Sequence, residues 1–168
     1  MTLSFDEFVG TRLPTLLRFT GVLTGDRQLA EDVVQEVLLK AHGRWDRIGV
    51  LDLPEAYVRR MLVNEYISWR RKWSRVIPMP DLGGWERAEP DHANRLADRS
   101  DLADRLATLP PRQRAVIVLR YYEQLSDTEI GDVLGCAVGT VRGYASRALA
   151  SLRIAAHEAP AARKGSHR

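Results

Sequence analysis

The sequence predicts an all-α protein made of two small helical domains joined by a flexible linker. Its 168 residues suffice for one ordinary domain or for two small ones. Apolar residues recur at the helical spacings of three and four in residues 27–42, 55–75 and 100–154. Between the last two stretches, residues 76–99 have the composition of a linker, with Pro78, Pro80, Gly83, Gly84 and Pro90.

These signals place the first domain at residues 1–75, the linker at 76–99 and the second domain at 100–154. The remaining tail, residues 155–168, has little apolar surface to bury, and we expect it to be disordered. We also expect the linker to hold the two helical domains apart.

Individual helices follow from periodicity and from proline positions. Pro54 stands near the start of the helix at 55–75, where its fixed φ angle suits the first helical turn. A short amphipathic stretch at 101–108 stops at the prolines at 110–111. Residues 115–122 have the composition of a strand, yet the prolines before them favour a helix start and no partner strand is recognisable. We therefore predict a helix there.

The composition excludes several classes of protein. Hydrophobic residues make up 45% and charged residues 28%, as in a globular chain. The single cysteine, Cys136, excludes a disulfide framework and a thiolate metal site, and it fits a reducing cytoplasm. The four histidines lack the spacing of a helical metal site, so we expect no metal and no other cofactor.

The hydropathy pattern indicates a cytoplasmic protein without membrane insertion. The longest apolar run, residues 115–119, is much too short to cross a bilayer. The N-terminus has neither the positive region nor the apolar region of a signal peptide. The common catalytic motifs, among them G-x-S-x-G and H-E-x-x-H, do not occur either. We expect no catalytic residues and no enzymatic activity.

Charge is distributed unevenly along the chain, although the total is only +3. Residues 26–36 contain four acids and one base, a net charge of −3. Residues 55–75 contain six bases and two acids, a net charge of +4, and residues 138–168 contain six bases and one acid, a net charge of +5. One acidic helix and two basic segments indicate two separate contacts with a polyanion and one contact with a basic surface.

A helix-turn-helix is predicted in the second domain. Ser126 and Glu129 have the spacing of a capping box, and Gly135 stands where a tight turn needs a positive φ angle. The second helix then begins near Val138, with short polar and basic residues on its outer face: Thr140, Arg142, Ser146 and Arg147. Such a helix can enter a major groove and offer side chains to base edges and phosphates. The alternative is a helical hairpin with a solvated basic face.

The helix at residues 55–75 carries an apolar stripe opposite a basic one. Tyr66, Trp69 and Trp73 continue the apolar stripe, so we expect them in the core instead of stacked on nucleic-acid bases. On the opposite face, the arginines suit phosphates and the asparagine suits an exposed base edge: Arg60, Asn64 and Arg71. A solvated charged face is the alternative here.

The acidic helix presents Asp32, Gln35 and Glu36 on one surface, because residues three and four apart are neighbours on a helix. Paired carboxylates can act in acid–base catalysis. Nothing in this sequence supplies a metal partner, a nucleophile or an apolar pocket for them. A surface that binds a basic protein partner is the better interpretation, with a solvated face as the alternative.

Taken together, these motifs resemble those of extracytoplasmic-function (ECF) sigma factors, the compact two-domain sigma subunits of bacterial RNA polymerase. Residues 29–41 are similar to region 2.2 of that family, and residues 54–71 are similar to regions 2.3 and 2.4. Residues 109–121 and 138–142 are similar to region 4. The segments Gly25-Asp-Arg, Pro54-Glu-Ala-Tyr-Val-Arg-Arg and Ala145-Ser-Arg-Ala-Leu further resemble the actinobacterial SigE-family subgroup.

The chain departs from the family pattern at several positions. Ser68 stands where the family often has Asp, and Gly131 replaces a usual Ala. Gly143, Tyr144 and Ala145 stand where Ser, Arg and a larger apolar residue are common, which removes one basic residue from the recognition helix.

The resemblance implies partners and roles for the candidate residues. Core RNA polymerase and promoter DNA are the implied partners, and many relatives are also held inactive by an anti-sigma protein. The implied sites are Asp32, Gln35 and Glu36 for polymerase, Arg60, Asn64 and Arg71 for the minus-ten element, and Thr140, Arg142, Ser146 and Arg147 for the minus-thirty-five element.

The main alternative is a free-standing helix-turn-helix transcriptional regulator. The acidic helix separates the two hypotheses, because such a regulator does not need a surface for polymerase. A nuclease that uses the carboxylates is a remote third hypothesis, since no supporting catalytic site is recognisable in the sequence.

Overall fold

Helices dominate the computed structural model, which describes residues 2–76 and 97–158. The first bundle contains α1 (Phe5–Thr24), α2 (Arg27–His42), the short α3 (Trp45–Ile48) and α4 (Pro54–Val76). The second bundle contains α5 (Ala97–Ala107), α6 (Pro111–Ile117), α7 (Asp127–Leu134) and α8 (Val138–Glu158). A π-helical turn, Val118–Tyr122, continues α6, so the segment with strand-like composition is helical as predicted. No strand occurs in the described ranges, which confirms the all-α class.

Capping residues define the helix ends of the first bundle. Ser4 and Glu7 form a capping box that starts α1, and Gly25 ends it with a left-handed φ of 70°. Asp26 then caps α2 by accepting a hydrogen bond from the Leu29 backbone amide at 3.0 Å. Because only two residues separate α1 from α2, the two helices pack as an antiparallel pair.

The core of the first bundle lies between α1, α2 and α4. Aromatic and aliphatic side chains from all three helices are almost fully buried there: Phe8, Leu16, Phe19, Val34, Val37, Val58, Leu62 and Tyr66. The buried Trp45 ring of α3 closes one end and donates a hydrogen bond to the Leu3 carbonyl at 2.8 Å. The apolar stripe predicted for α2 and α4 is thus confirmed for most of its length.

One residue of that stripe is not in the core. Trp73 is 37% exposed and stacks on Trp69 at 5.5 Å between ring centroids. The prediction of a buried Trp73 was wrong: this residue lies in the last turn of α4, and helical periodicity defines the face of a residue but not how far along the helix that face is covered.

The two bundles share one continuous core, whereas the sequence analysis expects the linker to hold them apart. Buried side chains of α4 and α1 belong to the same apolar cluster as Val116, Leu119, Ile130 and Val141 of the second bundle. The second bundle has only a small cluster of its own: Leu106, Leu109, Ile117 and Ala148. Helix α4 contacts α6 and α7 of the second bundle, and it carries a further buried apolar pair, Val63 and Ile67, beside its main stripe.

Two segments bear on the expected boundaries. Helix α8 runs to Glu158, four residues past the expected end of the second domain. The linker was predicted at residues 76–99, and in the structure α4 extends to Val76 while α5 begins at Ala97. Residues 77–96 and 159–168 lie outside the described residues, so the expectations about them remain predictions.

Candidate functional site

The acidic face of α2 is open to solvent. Asp32, Gln35 and Glu36 are all exposed and lie next to one another on the helix surface. The Lys40 ammonium lies 3.5 Å from Glu36 and 2.8 Å from Glu65 of α4. The hydrogen bond with Glu65, followed by that with Glu36, raises the pKa of Lys40 above its ordinary value. Lys40 therefore marks the edge of the acidic face, and Asp32 and Gln35 stay available to a partner.

An apolar groove borders this face, and the sequence analysis missed it. It lies between α1 and α2, has a volume of about 470 Å³, and includes Gln35 on its rim. Its apolar walls come from Phe5, Val9, Leu13, Leu17, Val34 and Leu38. Leu39, also in the groove, is 66% exposed. Its position off the predicted apolar stripe of α2 was the signal that could have identified this surface.

The basic face of α4 presents Arg60 and Asn64 one helical turn apart, both exposed. Arg71 follows two turns later and is exposed as well. Within the described residues, neither Arg60 nor Arg71 has a carboxylate at ion-pair distance, in contrast to Arg59, which lies 3.0 Å from Glu55. The predicted minus-ten residues thus form one surface, and no carboxylate of the described residues lies at ion-pair distance from its arginines.

Arg71 also lines a cleft of about 360 Å³ between the bundles. Arg70 lies beside it on α4, and Arg112 of α6 faces it from the second bundle. Trp73 and Tyr144 supply aromatic walls. The sequence did not predict this cleft, because the cleft requires contact between bundles that were expected to be separate.

The helix-turn-helix of the second bundle has the predicted caps. Ser126 and Glu129 form the capping box of α7, and Gly135 ends that helix with a φ of 65°. A Cβ on Gly131 would lie only 2.7 Å from the Cys136 carbonyl oxygen. Glycine at this position therefore lets the turn pack directly against α7.

Asp127 holds two arginines of the second bundle. It accepts a hydrogen bond from Arg120 and another from the Arg142 Nε at 3.3 Å. These bonds, first that from Arg120, lower the pKa of Asp127 below its ordinary range. Arg142 nevertheless remains 71% exposed, so its guanidinium is oriented by Asp127 and still open to solvent.

Arg147 folds back along α8. Its Nε donates to the Gly143 carbonyl at 3.2 Å, and its guanidinium lies 5.3 Å from the centre of the Tyr144 ring. A Cβ on Gly143 would lie 3.3 Å from the Arg147 Nη2, so glycine gives this arginine its room. Thr140 and Ser146 are exposed on the same helix. The four predicted residues of α8 are therefore all accessible.

The structure thus distributes the candidate residues over three surfaces, one on each of α2, α4 and α8. No group of three or more potential metal ligands occurs among the described residues. None of the helices in the described ranges is both long and apolar enough to span a membrane.

A helix-turn-helix with an exposed, basic second helix is the architecture of a DNA-binding transcription protein. Two family models match the chain: "Sigma-70 region 2" over residues 8–76 and "Sigma-70, region 4" over residues 99–152. The chain belongs to the sigma-70 family of RNA polymerase sigma factors. It is a sigma subunit that binds core RNA polymerase and directs promoter-specific initiation of transcription.

Individual relatives support the ECF type. The RNA polymerase sigma-E factor of Streptomyces coelicolor is 40% identical over 152 residues, which are 90% of this chain and 85% of the relative. The ECF RNA polymerase sigma factor SigL of Mycobacterium tuberculosis is 38% identical over 149 residues, 85% of this chain and 83% of the relative. The resemblance to ECF sigma factors, and to actinobacterial sigma-E factors in particular, is confirmed.

A solved structure shows the same fold. The sigma factor RpoE of Bartonella quintana, in complex with the anti-sigma factor NepR, superposes with a TM-score of 0.67 and 26% sequence identity. The match covers 93% of this chain and 98% of the solved one.

Proposed function

We propose that the chain performs its sigma role through the three surfaces on α2, α4 and α8, with region 2 at residues 1–75 and region 4 at 100–154. Asp32, Gln35 and Glu36 dock on core RNA polymerase. Their exposure and the residual negative charge of the face support this role, because the partner surface would be basic. The adjoining groove offers additional apolar area to the same partner.

Arg60, Asn64 and Arg71 capture the non-template strand of the minus-ten element in this proposal. The two arginines have no neutralising carboxylate among the described residues, so each is free to contact a phosphate. Asn64, one turn from Arg60, can hydrogen-bond an unstacked base edge. Extruding a base costs a few kcal/mol, which the contacts with polymerase and promoter offset.

Thr140, Arg142, Ser146 and Arg147 read the minus-thirty-five element. Arg142 is the residue we assign to a base edge, because Asp127 fixes the direction of its guanidinium and a bidentate contact with guanine needs such orientation. Thr140 and Ser146 are short hydrogen-bond donors suited to phosphates. Neither DNA surface binds tightly alone, and core polymerase raises their effective concentration by holding both.

Three further properties belong to the proposal. The chain has no catalytic residues of its own, requires no cofactor and works in the cytoplasm, where it meets RNA polymerase. An anti-sigma protein is a further proposed partner, supported by the anti-sigma complex of the similar Bartonella sigma factor. The alternative of a free-standing regulator is disfavoured because the region 2 match covers residues 8–76, almost the whole first bundle.

The acidic face of α2 carries the proposal, and a charge reversal tests it. We expect Asp32→Lys with Glu36→Lys to abolish co-purification with core polymerase and run-off transcription from a cognate promoter. A matched control, Asp6→Lys with Asp46→Lys, makes the same change in charge at exposed positions of α1 and α3 and should keep both activities. Undiminished transcription by the α2 variant would refute the docking assignment.

A further inference from the structure

Arginines without a carboxylate partner line the cleft between the bundles. Arg70 and Arg71 of α4 line it together with Arg112 of α6, and no aspartate or glutamate of the described residues does so. None of these three arginines forms an ion pair with a carboxylate in the described parts of the chain. Arg59, on the same helix α4, instead lies 3.0 Å from Glu55. Guanidinium groups that line one cavity without carboxylates favour an anionic ligand, above all a phosphate.

A fourth arginine adds positive charge near the cleft. Arg114 of α6, on the turn that begins with Arg112, is only 3% exposed. Its Nη2 donates a hydrogen bond to the Val22 carbonyl oxygen at 3.0 Å, a neutral acceptor that leaves the positive charge in place. Burial lowers the pKa of Arg114, and the positive charge of Arg70 acts in the same direction. The two arginines therefore repel each other, and an anion bound at Arg70 would offset that repulsion.

Two aromatic side chains form further walls of the cleft, Trp73 of α4 and Tyr144 of α8. The Trp69 ring stacks on Trp73 at 5.5 Å between ring centroids, and the Arg147 guanidinium lies 5.3 Å from the centre of the Tyr144 ring. Neither Trp69 nor Arg147 is among the lining residues. Each aromatic wall is therefore held in place by a neighbour outside the cleft. Such rings can stack on a flat, aromatic part of a ligand, as they do on nucleic-acid bases.

The size and the remaining lining residues of the cleft suit a small molecule. Its volume of about 360 Å³ falls in the range of small-molecule sites, about 300–1,000 Å³. Ser74 and Gln113 contribute a hydroxyl and an amide that can hydrogen-bond a sugar or a base edge. Ile67 and the prolines at 110–111 contribute apolar contacts. A ligand that uses all of these groups carries phosphates and a flat ring with polar edges, which is the chemistry of a nucleotide.

We propose that the cleft is a binding site for a free nucleotide, a nucleoside di- or triphosphate. Arg70, Arg71 and Arg112 hold the phosphates, and the base lies against Trp73 and Tyr144. A free nucleotide fits better than a DNA strand, because the walls come from three helices of both bundles and the cavity has the volume of a small-molecule site. The proposal goes beyond the sigma role, and a nucleotide can bind in the cleft whether or not the three surfaces act as proposed above.

Isothermal titration calorimetry on the full chain tests the site with GTP and ATP as probes. Guanosine and inorganic tripolyphosphate serve as partial ligands, since each offers only the base and sugar or only the phosphates. We expect one nucleotide to bind per chain, and each partial ligand to bind at least about tenfold more weakly than GTP. The affinity for GTP should also fall with added salt, because its phosphates are held by charged groups.

Two matched arginine variants locate the phosphates. Arg112→Ala removes one charge from the cleft, and Arg18→Ala removes one charge from an exposed position of α1 outside it. Arg112 is chosen because Arg71 is also part of the proposed minus-ten surface. We expect Arg112→Ala to weaken GTP binding about tenfold, since a charge-assisted hydrogen bond to a phosphate is lost, and Arg18→Ala to bind GTP like the wild type.

A pair of variants at Tyr144 tests the position of the base. Tyr144→Ala removes the ring and should weaken GTP binding about tenfold, while the affinity for tripolyphosphate stays unchanged. Tyr144→Phe keeps the ring and should bind GTP like the wild type. Circular dichroism verifies that each variant has native helicity.

Several results would overturn the proposal. The absence of binding by GTP and ATP at millimolar concentration would do so, and so would equal losses for Arg112→Ala and Arg18→Ala, which indicate only a general attraction of anions. Tripolyphosphate that binds as tightly as GTP would show that the base is not recognised. A single-stranded oligothymidylate that binds more tightly than GTP and depends equally on Arg112 would assign the cleft to DNA instead. Run-off transcription, which tests the proposed function, is a separate measurement.

Discussion

The first bundle encloses a large core of its own side chains, whereas most buried side chains of the second bundle pack in the core that it shares with the first. In the first bundle, α1 and α4 are 20 and 23 residues long and enclose a core with several aromatic side chains. The second bundle consists mostly of shorter helices and has four buried residues in its separate cluster. Most of its remaining buried side chains join the core of the first bundle. The second bundle therefore depends on the first for most of its packing.

The largest effect should come from the shared core. Leu119 is fully buried in it, so Leu119→Ala should cost about 2–5 kcal/mol of unfolding free energy. Trp45 is buried in the first bundle, so its fluorescence in a background of Trp69→Phe, Trp73→Phe and Trp85→Phe reports on that bundle. Circular dichroism reports on both bundles. If the bundles unfold together in urea, both signals shift to lower denaturant.

The matched control for that prediction is Leu106→Ala, which removes the same side chain from the separate cluster of the second bundle. It should shift circular dichroism while leaving the fluorescence transition nearly unchanged. Identical fluorescence shifts for the two variants would mean that no part of the second bundle unfolds independently of the first. The two bundles would then not differ in how they are stabilised.

A smaller effect, confined to the second bundle, is expected at the turn of the helix-turn-helix. In Gly131→Ala the new methyl group meets the Cys136 carbonyl, so the turn has to shift. We expect a loss of about 1–3 kcal/mol, typical of overpacking, together with weaker minus-thirty-five binding. Gly139→Ala is the control for stability, because a Cβ there has no neighbour within 4 Å. If both variants have the same urea midpoint of unfolding as the wild type, the turn accommodates a methyl group at position 131 without loss of stability.

The two DNA surfaces differ in how their arginines are held, which leads to a prediction about specificity. Arg142 is oriented by Asp127, while Arg60 has no carboxylate at ion-pair distance in the described part of the chain. Arg142→Ala should therefore cost about 1–3 kcal/mol at one promoter position, and Arg60→Ala should weaken binding to all sequences alike. Run-off transcription over a promoter library distinguishes these patterns. A uniform loss for Arg142→Ala would make it a phosphate contact.

Local signals made most of the fold predictable. The capping box of Ser126 and Glu129, the glycine at position 135 and the apolar stripe of α2 act through neighbouring residues, and the structure confirms each of them. The contact between the bundles could not be predicted in this way. It brings Arg114 to the Val22 carbonyl, 92 residues away in the sequence, and joins buried residues of both bundles in one core. Each of these residues alone is consistent with an ordinary helix.

The candidate surfaces also combine features that local sequence signals predict with features that depend on contact between the bundles. The exposure of the acidic, basic and recognition faces follows from helical periodicity, and the structure places all ten predicted residues on the surface. Periodicity could not find the cleft lined by Arg71 and Arg112, because its walls come from both bundles. It also placed Trp73 in the core, since a helical stripe does not reveal where the covering helices end.

The smallest effect concerns a feature that the two bundles share. Glu7 and Glu129 each complete a capping box, and hydrogen bonds from Ser4 and Ser126 lower the pKa of the respective carboxyl group. A carboxylate with a lowered pKa in the folded state stabilises the fold above its unfolded pKa, and the benefit disappears as the pH falls through the lowered value. Glu7→Gln and Glu129→Gln should therefore be slightly less stable than the wild type at pH 7 and equal to it in acid. Because the Glu129 box lies in the bundle with the small core, its variant should lose helicity at lower urea than the Glu7 variant does. Equal urea midpoints of unfolding for the two variants at pH 7 would mean that the shared core spreads the loss of stability over both bundles.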